Sequence, residues 1–398
     1  MQTHRLAQDL DHILACTTDL WTEFRGARIF FTGGTGFFGS WILQSLMWAN
    51  DKLNLNLKVV VLTRNPDVFK EKLGHPAIEF LKGDVRTFSF PEAGPKIASF
   101  SHIIHAATPN SAELNTNDPL LMFDTIVEGT RRVLDFARKW NVHPEHSRDV
   151  NAISSNAHSR DVNAISSNAH SRDVNAISSN AHSRDVNATK CKVLFISSGA
   201  VYGKQPPSLR HIDETYLGSP DPLDSETAYG QGKRAAEFLC QTYHSRYGVK
   251  TSIARCFAFV GPYLPLNAHF AIGNFIRDAM NGGPIKIHGD GTPYRSYLYT
   301  SDLVIWLLTI LIRGESCRAY NVGSEEDYTI AEIAQHVAKA ISKNIEIHVS
   351  KSPPAGIQSA ESNRYVPSTQ RALSELQLKP TIDLNTAIIK TLEWYRGW

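Results

Sequence analysis

The chain has 398 residues, with 41 basic and 39 acidic side chains for a net charge of +2, and 42% hydrophobic against 20% charged residues. Such a chain buries a large core in one or two domains, and its composition excludes wholesale disorder. The near balance of charge gives nucleic acid or an anionic membrane no footing as a partner.

Residues 1–26 read as an amphipathic helix and a linker, and Asp9, Asp11 and Asp19 interrupt the apolar run that a signal peptide needs. From Ala27 short apolar runs alternate with helical stretches. The runs at 27–32, 57–63, 77–81, 101–107, 191–198 and 250–257 are predicted strands, and helices are expected up to about Ala49 and near 118–141 and 227–247. Continuous apolar runs of this length are the mark of parallel strands covered on both faces, which predicts an α/β fold with a doubly wound Rossmann sheet. The most apolar later stretch, Leu303 to Ile312, is shorter than the ~20 residues that span a bilayer, so it is read as a buried helix. The cysteines at 16, 191, 240, 256 and 317 are scattered and form no CxxC pair. They fit neither a disulfide framework nor a zinc site; no metal is expected, and a reducing, cytoplasmic setting suits them.

Residues 147–188 break the rhythm with a period of twelve, SRDVNA four times and ISSNAH three times. Each unit offers only Val and Ile as sizeable apolar residues, too little to offset an ordering cost of ~1–2 kcal/mol per residue. The expectation is a duplicated, disordered surface loop rather than a solenoid or a metal array of His146, His158, His170 and His182.

Thr32 to Gly39 reads TGGTGFFG, between a predicted strand and a predicted helix. Gly33 suits the tight turn, Gly36 the close approach of a pyrophosphate, and Gly39 the packing of helix on strand. Free amides at the helix start then face the anion. Gly33, Gly36, Phe37, Phe38 and Gly39 are therefore expected to bind a nicotinamide dinucleotide. The second strand ends in Leu62-Thr63-Arg64-Asn65 where a carboxylate would hold the ribose of NAD, so Arg64 tilts the choice to NADP. Asp84 and Val85 after the third strand are expected near the adenine, and Ala106 and Ala107 after the fourth beside the cofactor backbone. His105 is either a cofactor neighbour or a core residue.

Tyr229 and Lys233 stand four residues apart in YGQGK and share a face if helical. A lysine cation favours phenolate and is expected to lower the tyrosine pKa, letting Tyr229 exchange a proton while hydride moves. Ser198, in ISSGAVYG at the end of the fifth strand, is placed to hold the same substrate oxygen.

Together the glycine loop, SSGAVYG and YGQGK resemble the extended short-chain dehydrogenase/reductases, the NAD(P)-dependent nucleotide-sugar epimerase/dehydratase family. The resemblance covers about 27–395 apart from the repeat. It implies a Rossmann domain over 27–260, a mainly substrate-binding lobe over 261–398, a nucleotide-sugar substrate and a homodimer paired through the two long helices. It also makes Ser198, Tyr229 and Lys233 catalytic, and gives Arg295, in GDGTPYRSY, the nucleotide diphosphate. Asn274, with Asn267 and His269, is a candidate polar contact from the following segment. Tyr320-Asn321-Val322-Gly323 is similar to a segment of the substrate lobe.

The family's 4,6-dehydratases carry an Asp-Glu pair just after the catalytic serine or threonine, where this chain has Gly199 and Ala200. UDP-glucuronate decarboxylases usually keep a glutamate where Ala200 stands, and the family asparagine is Ala258 here. The expected chemistry is therefore hydride exchange at sugar C4, by a 4-epimerase with retained NAD or a 4-keto reductase with exchangeable NADPH. A non-catalytic dinucleotide sensor has no need of the triad.

Overall fold

The computed structural model describes residues 5–89, 99–108, 112–141, 191–268, 270–341, 344–351 and 363–397. His269 and the repeat at 147–188 lie outside the described residues.

Seven parallel strands form the central sheet: β1 (Arg28–Thr32), β2 (Lys58–Thr63), β3 (Ile78–Lys82), β4 (His102–His105), β5 (Lys192–Ser198), β6 (Lys250–Cys256) and β11 (Ala319–Val322). Their spatial order is β11-β6-β5-β4-β1-β2-β3, every neighbouring pair parallel. The order reverses direction between β1 and β4, and the crevice outside the carboxyl ends of strands at such a switch point is where this architecture binds ligands. The strands are almost continuously apolar because helices cover both faces.

On one face lie α2 (Phe37–Leu53) and α8 (Thr300–Arg313). Residues 300–311 of α8 are all buried, as expected for a helix hydrophobic all round. On the other face α5 (Pro119–Asn141) and α6 (Ala228–Tyr247) pack against each other, with Ile126, Val133, Ala236 and Leu239 in the core beneath them. α3 (Pro66–Leu73) leads into β3, and α4 (Ala112–Asn117) precedes α5.

The N-terminal segment is a helix, α1 (Ala7–Cys16), followed by a tight turn of 3-10 helix at Thr18–Phe24. Leu6, Leu10, Ile13, Leu20, Trp21 and Phe24 are buried against the α2 and α8 layer. Asp9 accepts hydrogen bonds from the Tyr299 hydroxyl (2.8 Å) and the Lys390 ammonium (2.9 Å), which fastens this segment to the far end of the chain.

A smaller lobe sits beyond the carboxyl ends of the sheet. α7 (Ala271–Met280), α9 (Ile330–Ala340) and α11 (Leu384–Arg396) share an apolar core with β8 (Ile285–Ile287), which pairs with β13 (Ile347–Val349). Thr329 and Glu332 cap α9 reciprocally, satisfying amides that the helix start leaves free. Two further pairings reach towards the sheet: β7 (Phe259–Val260) with β10 (Leu298–Tyr299), and β9 (Tyr294–Arg295) between β12 (Tyr328–Thr329) and β14 (Arg364–Tyr365). α10 (Gln370–Leu376) returns to pack on β11 and α8. The segment around Tyr320 is thus the seventh strand of the main sheet and not part of the lobe: its backbone pairs with Ile253–Cys256, and the Asn321 amide is wholly buried.

Candidate active site

The loop between β1 and α2 is shaped by what it must avoid. Gly33 has φ +79, and a Cβ there would stand 2.5 Å from the Ala106 carbonyl carbon and 2.6 Å from the Ala107 nitrogen. Only glycine permits that conformation and that contact. Gly36 begins α2 with no side-chain cap, and a Cβ on it would meet nothing closer than 3.5 Å, so the first amides of α2 open on a cavity. Gly39 packs its α-carbon on the Gly33–Gly34 backbone. Beneath the loop a buried thread runs from Thr32 to His105 (2.7 Å) and on to Thr130 (3.0 Å). Burial pushes the His105 pKa down to about 3. His105 is therefore a neutral core residue joining β1, β4 and α5.

A cavity of about 630 Å³ runs from this loop past the ends of β5 and β6 to the lobe, a size suited to a small-molecule site. Gly33, Gly36, Phe37, Phe38, Gly39 and Ala106 line one end; Ser198, Tyr229 and Lys233 line the middle. Glycines that leave the backbone bare at a helix N-terminus without a side-chain cap fit a dinucleotide pyrophosphate.

The middle of the cavity is held rigidly. Ser198 ends β5, and its hydroxyl accepts from the Ala200 amide (3.1 Å). Below it, Ser197 donates to Glu237 (2.5 Å), and Glu237 pairs with Arg255 on β6 (2.7 Å). Arg255 also donates to the Tyr202 hydroxyl (2.8 Å), which donates in turn to Asn321 (2.8 Å). This network ties β5, α6, β6 and β11 together under the reacting end. The Tyr229 amide donates to Asn115 (2.9 Å), which sets the start of α6 against α4.

Lys233 is 2% exposed and donates to the Thr108 hydroxyl (2.8 Å) and the Ile196 carbonyl (2.6 Å). Its ammonium is 5.8 Å from the centre of the Tyr229 ring. Burial lowers the Lys233 pKa to about 8 and raises that of Tyr229 to about 12, the Ser198 hydroxyl opposing the latter shift. The expected lowering of the tyrosine pKa is thus overturned here. Desolvation is the largest cause of the shift, and the Lys233 ammonium commits two of its three protons to Thr108 and Ile196. Tyr229 is a protonated phenol at neutral pH.

The far end is walled by Phe257, Ala258, Phe259, Leu264, Phe270, Tyr297 and Tyr365. Arg295 enters it from β9, with the Tyr294 and Asn363 carbonyls as its hydrogen-bond acceptors (2.7 and 3.3 Å). No carboxylate pairs with it among the described residues, and burial pulls its pKa down. An unpaired guanidinium at a cavity wall suits a phosphate.

Other predicted residues stand apart. Arg64 and Asp84 follow β2 and β3 outside the cavity wall; the Asp84 carboxylate is held low by Arg86 (2.9 Å) and, more weakly, by the Arg64 charge. Val85 is buried under Gly129, and Ala107 lies beside Gly33 behind the wall. The Asn274 side-chain oxygen accepts from Arg277 (3.0 Å) and does not reach the cavity, while Asn267 is exposed. Thr108 and Tyr365 are wall residues that sequence reasoning missed, since neither sits in a motif.

A glycine cradle opening one end of a cavity whose middle carries serine, tyrosine and lysine defines a class, the Rossmann proteins of short-chain dehydrogenase/reductase type. Within it, the chain belongs to the NAD dependent epimerase/dehydratase family, whose model matches residues 29–323. UDP-glucuronic acid decarboxylase 5 of Arabidopsis thaliana is 27% identical over 327 residues, covering 82% of this chain and 78% of the relative. Among solved structures, dTDP-glucose 4,6-dehydratase of Bacillus anthracis in complex with NAD is similar with TM-score 0.65 and 18% identity, over 93% of this chain and 96% of that one. UDP-glucose 4-epimerase of Thermotoga maritima with UDP-glucose gives TM-score 0.66 and 18% identity, over 93% and 98%.

Proposed function

We propose that the protein is an NAD(P)-dependent nucleotide-sugar oxidoreductase or epimerase that exchanges hydride at sugar C4. The observation that carries this reading is the convergence of Ser198, Tyr229 and Lys233 on one cavity in which positions 199 and 200 bear no proton-transfer group. Gly33, Gly36 and Gly39 would hold the pyrophosphate of a nicotinamide dinucleotide, which when bound would supply or accept the hydride. Ser198 holds the C4 oxygen, Tyr229 gives it a proton or takes one, and the Lys233 ammonium fixes the local charge. Arg295 receives the diphosphate. Arg64 suits a 2′-phosphate, and exchangeable NADPH is the cofactor a reductase consumes, so 4-keto reduction is preferred over 4-epimerisation.

NADP is the preferred cofactor, because Arg64 follows β2, is exposed and makes no ion pair among the described residues. Asp84 with Val85 on the adenine side completes the cofactor contacts we assign. No helix of the described residues is long and apolar enough to cross a membrane, and a cytoplasmic enzyme is the accompanying proposal. UDP-glucuronate decarboxylation is the second reading, favoured by the similarity to the plant decarboxylases.

The test is a panel of UDP-, dTDP-, CDP- and GDP-sugars, including 4-keto-6-deoxy forms, with NAD or NADPH followed optically. Consumption of NADPH by a 4-keto sugar is expected; release of CO2 and a UDP-pentose from UDP-glucuronate establishes the second reading instead. Tyr229→Phe should lower kcat at least a hundredfold, the typical share of acid–base catalysis being ~10²–10⁴-fold. Turnover within a few-fold of wild type would sink the mechanism.

A further inference from the structure

Tyr365 brings a third hydroxyl to the reacting end of the cavity. It stands on β14 in register with Arg295, and its ring packs on Phe257 with centroids 4.7 Å apart. Among the described residues its hydroxyl has one hydrogen-bond partner, the Ser198 hydroxyl at 3.5 Å, the outer limit for such a bond. A hydroxyl half-buried at the cavity wall with so long a bond to its one partner has capacity left for a ligand oxygen. Burial holds its pKa well above the usual tyrosine value, which keeps it a donor.

Gly199 points to the same seat. A Cβ there would stand 2.7 Å from the Tyr365 hydroxyl and 2.8 Å from the Phe257 ring, although its φ lies outside the left-handed region. Side-chain space, and not backbone conformation, requires glycine after Ser198. Tyr365 takes the room that any larger residue at 199 would fill.

We propose that Tyr365 is a substrate-contacting residue that donates a hydrogen bond to the sugar 3-hydroxyl, selecting sugars that keep an oxygen on the carbon next to the reacting one. The separation of the Ser198 and Tyr365 oxygens is comparable to that of neighbouring oxygens on a sugar ring. If Ser198 and Tyr229 hold the C4 oxygen, C5 carries carbon and the ring oxygen, so C3 bears the only exocyclic oxygen on an adjoining carbon. The assignment rests on the C4 chemistry proposed above.

Tyr365→Phe removes the hydroxyl and keeps the ring against Phe257. Steady-state kinetics and equilibrium binding are measured on wild type and variant with the nucleotide hexose of the panel that turns over fastest and with its 3-deoxy counterpart. The variant is expected to lose about ten- to hundredfold in kcat/KM on the hydroxylated sugar, the usual consequence of deleting one partner of a buried hydrogen bond. On the 3-deoxy sugar it should match wild type within twofold, with cofactor affinity unchanged. Equal losses on both sugars, or no loss on either, overturn the Tyr365 assignment and leave the C4 reading standing. A wild-type protein that neither binds nor converts any nucleotide sugar overturns both.

Discussion

At the scale of single residues, the pair Tyr229 and Lys233 sets the pH behaviour of the site. With its pKa lowered to about 8, Lys233 loses its proton as pH rises through that value, while Tyr229 stays protonated to about 12. Reduction of a 4-keto sugar should therefore be level below pH 8 and decline above it. A kcat/KM profile in the reductive direction checks this, and a profile flat to pH 10 would overturn the expected loss of activity with the Lys233 proton. The triad was legible in the sequence because each member sits in a local motif beside a strand end or a helix start. Thr108 and Tyr365 were not, because a wall contact made by residues far apart in the chain leaves no spacing to read. The tyrosine pKa was misjudged for a related reason: charge proximity shows in a motif, whereas desolvation depends on everything packed around it.

At the scale of elements, β4 is an acid-sensitive strand. It carries His102 and His105, both buried, with pKa values lowered by burial to about 4 and about 3. Lys192 and Lys233, the charged groups acting on them, depress the same values further. The unfolded chain takes up these protons near pH 6.5, so between there and pH 4 it binds more protons than the folded one, and stability falls as the pH falls. The slope is at most about 1.4 kcal/mol per pH unit for each histidine. Urea midpoints across pH 4–7 for wild type and His102→Gln measure it, and the variant should show the shallower dependence. The N-terminal segment, whose role the sequence left open, is held by Asp9 between Tyr299 and Lys390. Asp9→Ala leaves both partners behind and should cost about 1–3 kcal/mol in chemical denaturation. Six strands were legible as apolar runs. β11 was not, since four residues that include a buried asparagine carry no such run; Asn321 is tolerated there because Tyr202 donates to its oxygen, while its nitrogen donates to the Ile212 and Ser368 carbonyls.

At the scale of the molecule, α5 and α6 form the one face whose assembly the family resemblance anticipates. Phe238 on α6 is 69% exposed and Leu120 on α5 74%, an apolar cost that pairing of two chains would remove. Phe238→Glu should convert a dimer to a monomer in light scattering while leaving cofactor affinity unchanged. An equally dimeric variant would place any interface elsewhere.

The route of the chain through the sheet also bears on its synthesis. β6 is laid down before residues 259–318, which build part of the lobe and then α8, yet its outer edge is paired only when residues 319–322 arrive as β11. A nascent chain that has emerged as far as residue 260 therefore presents a bare strand edge, without α8 to cover the sheet face beside it. Such edges invite pairing with other chains. Docking of the strand carrying Asn321 closes that edge, so a chain stopped between β6 and β11 would leave it bare.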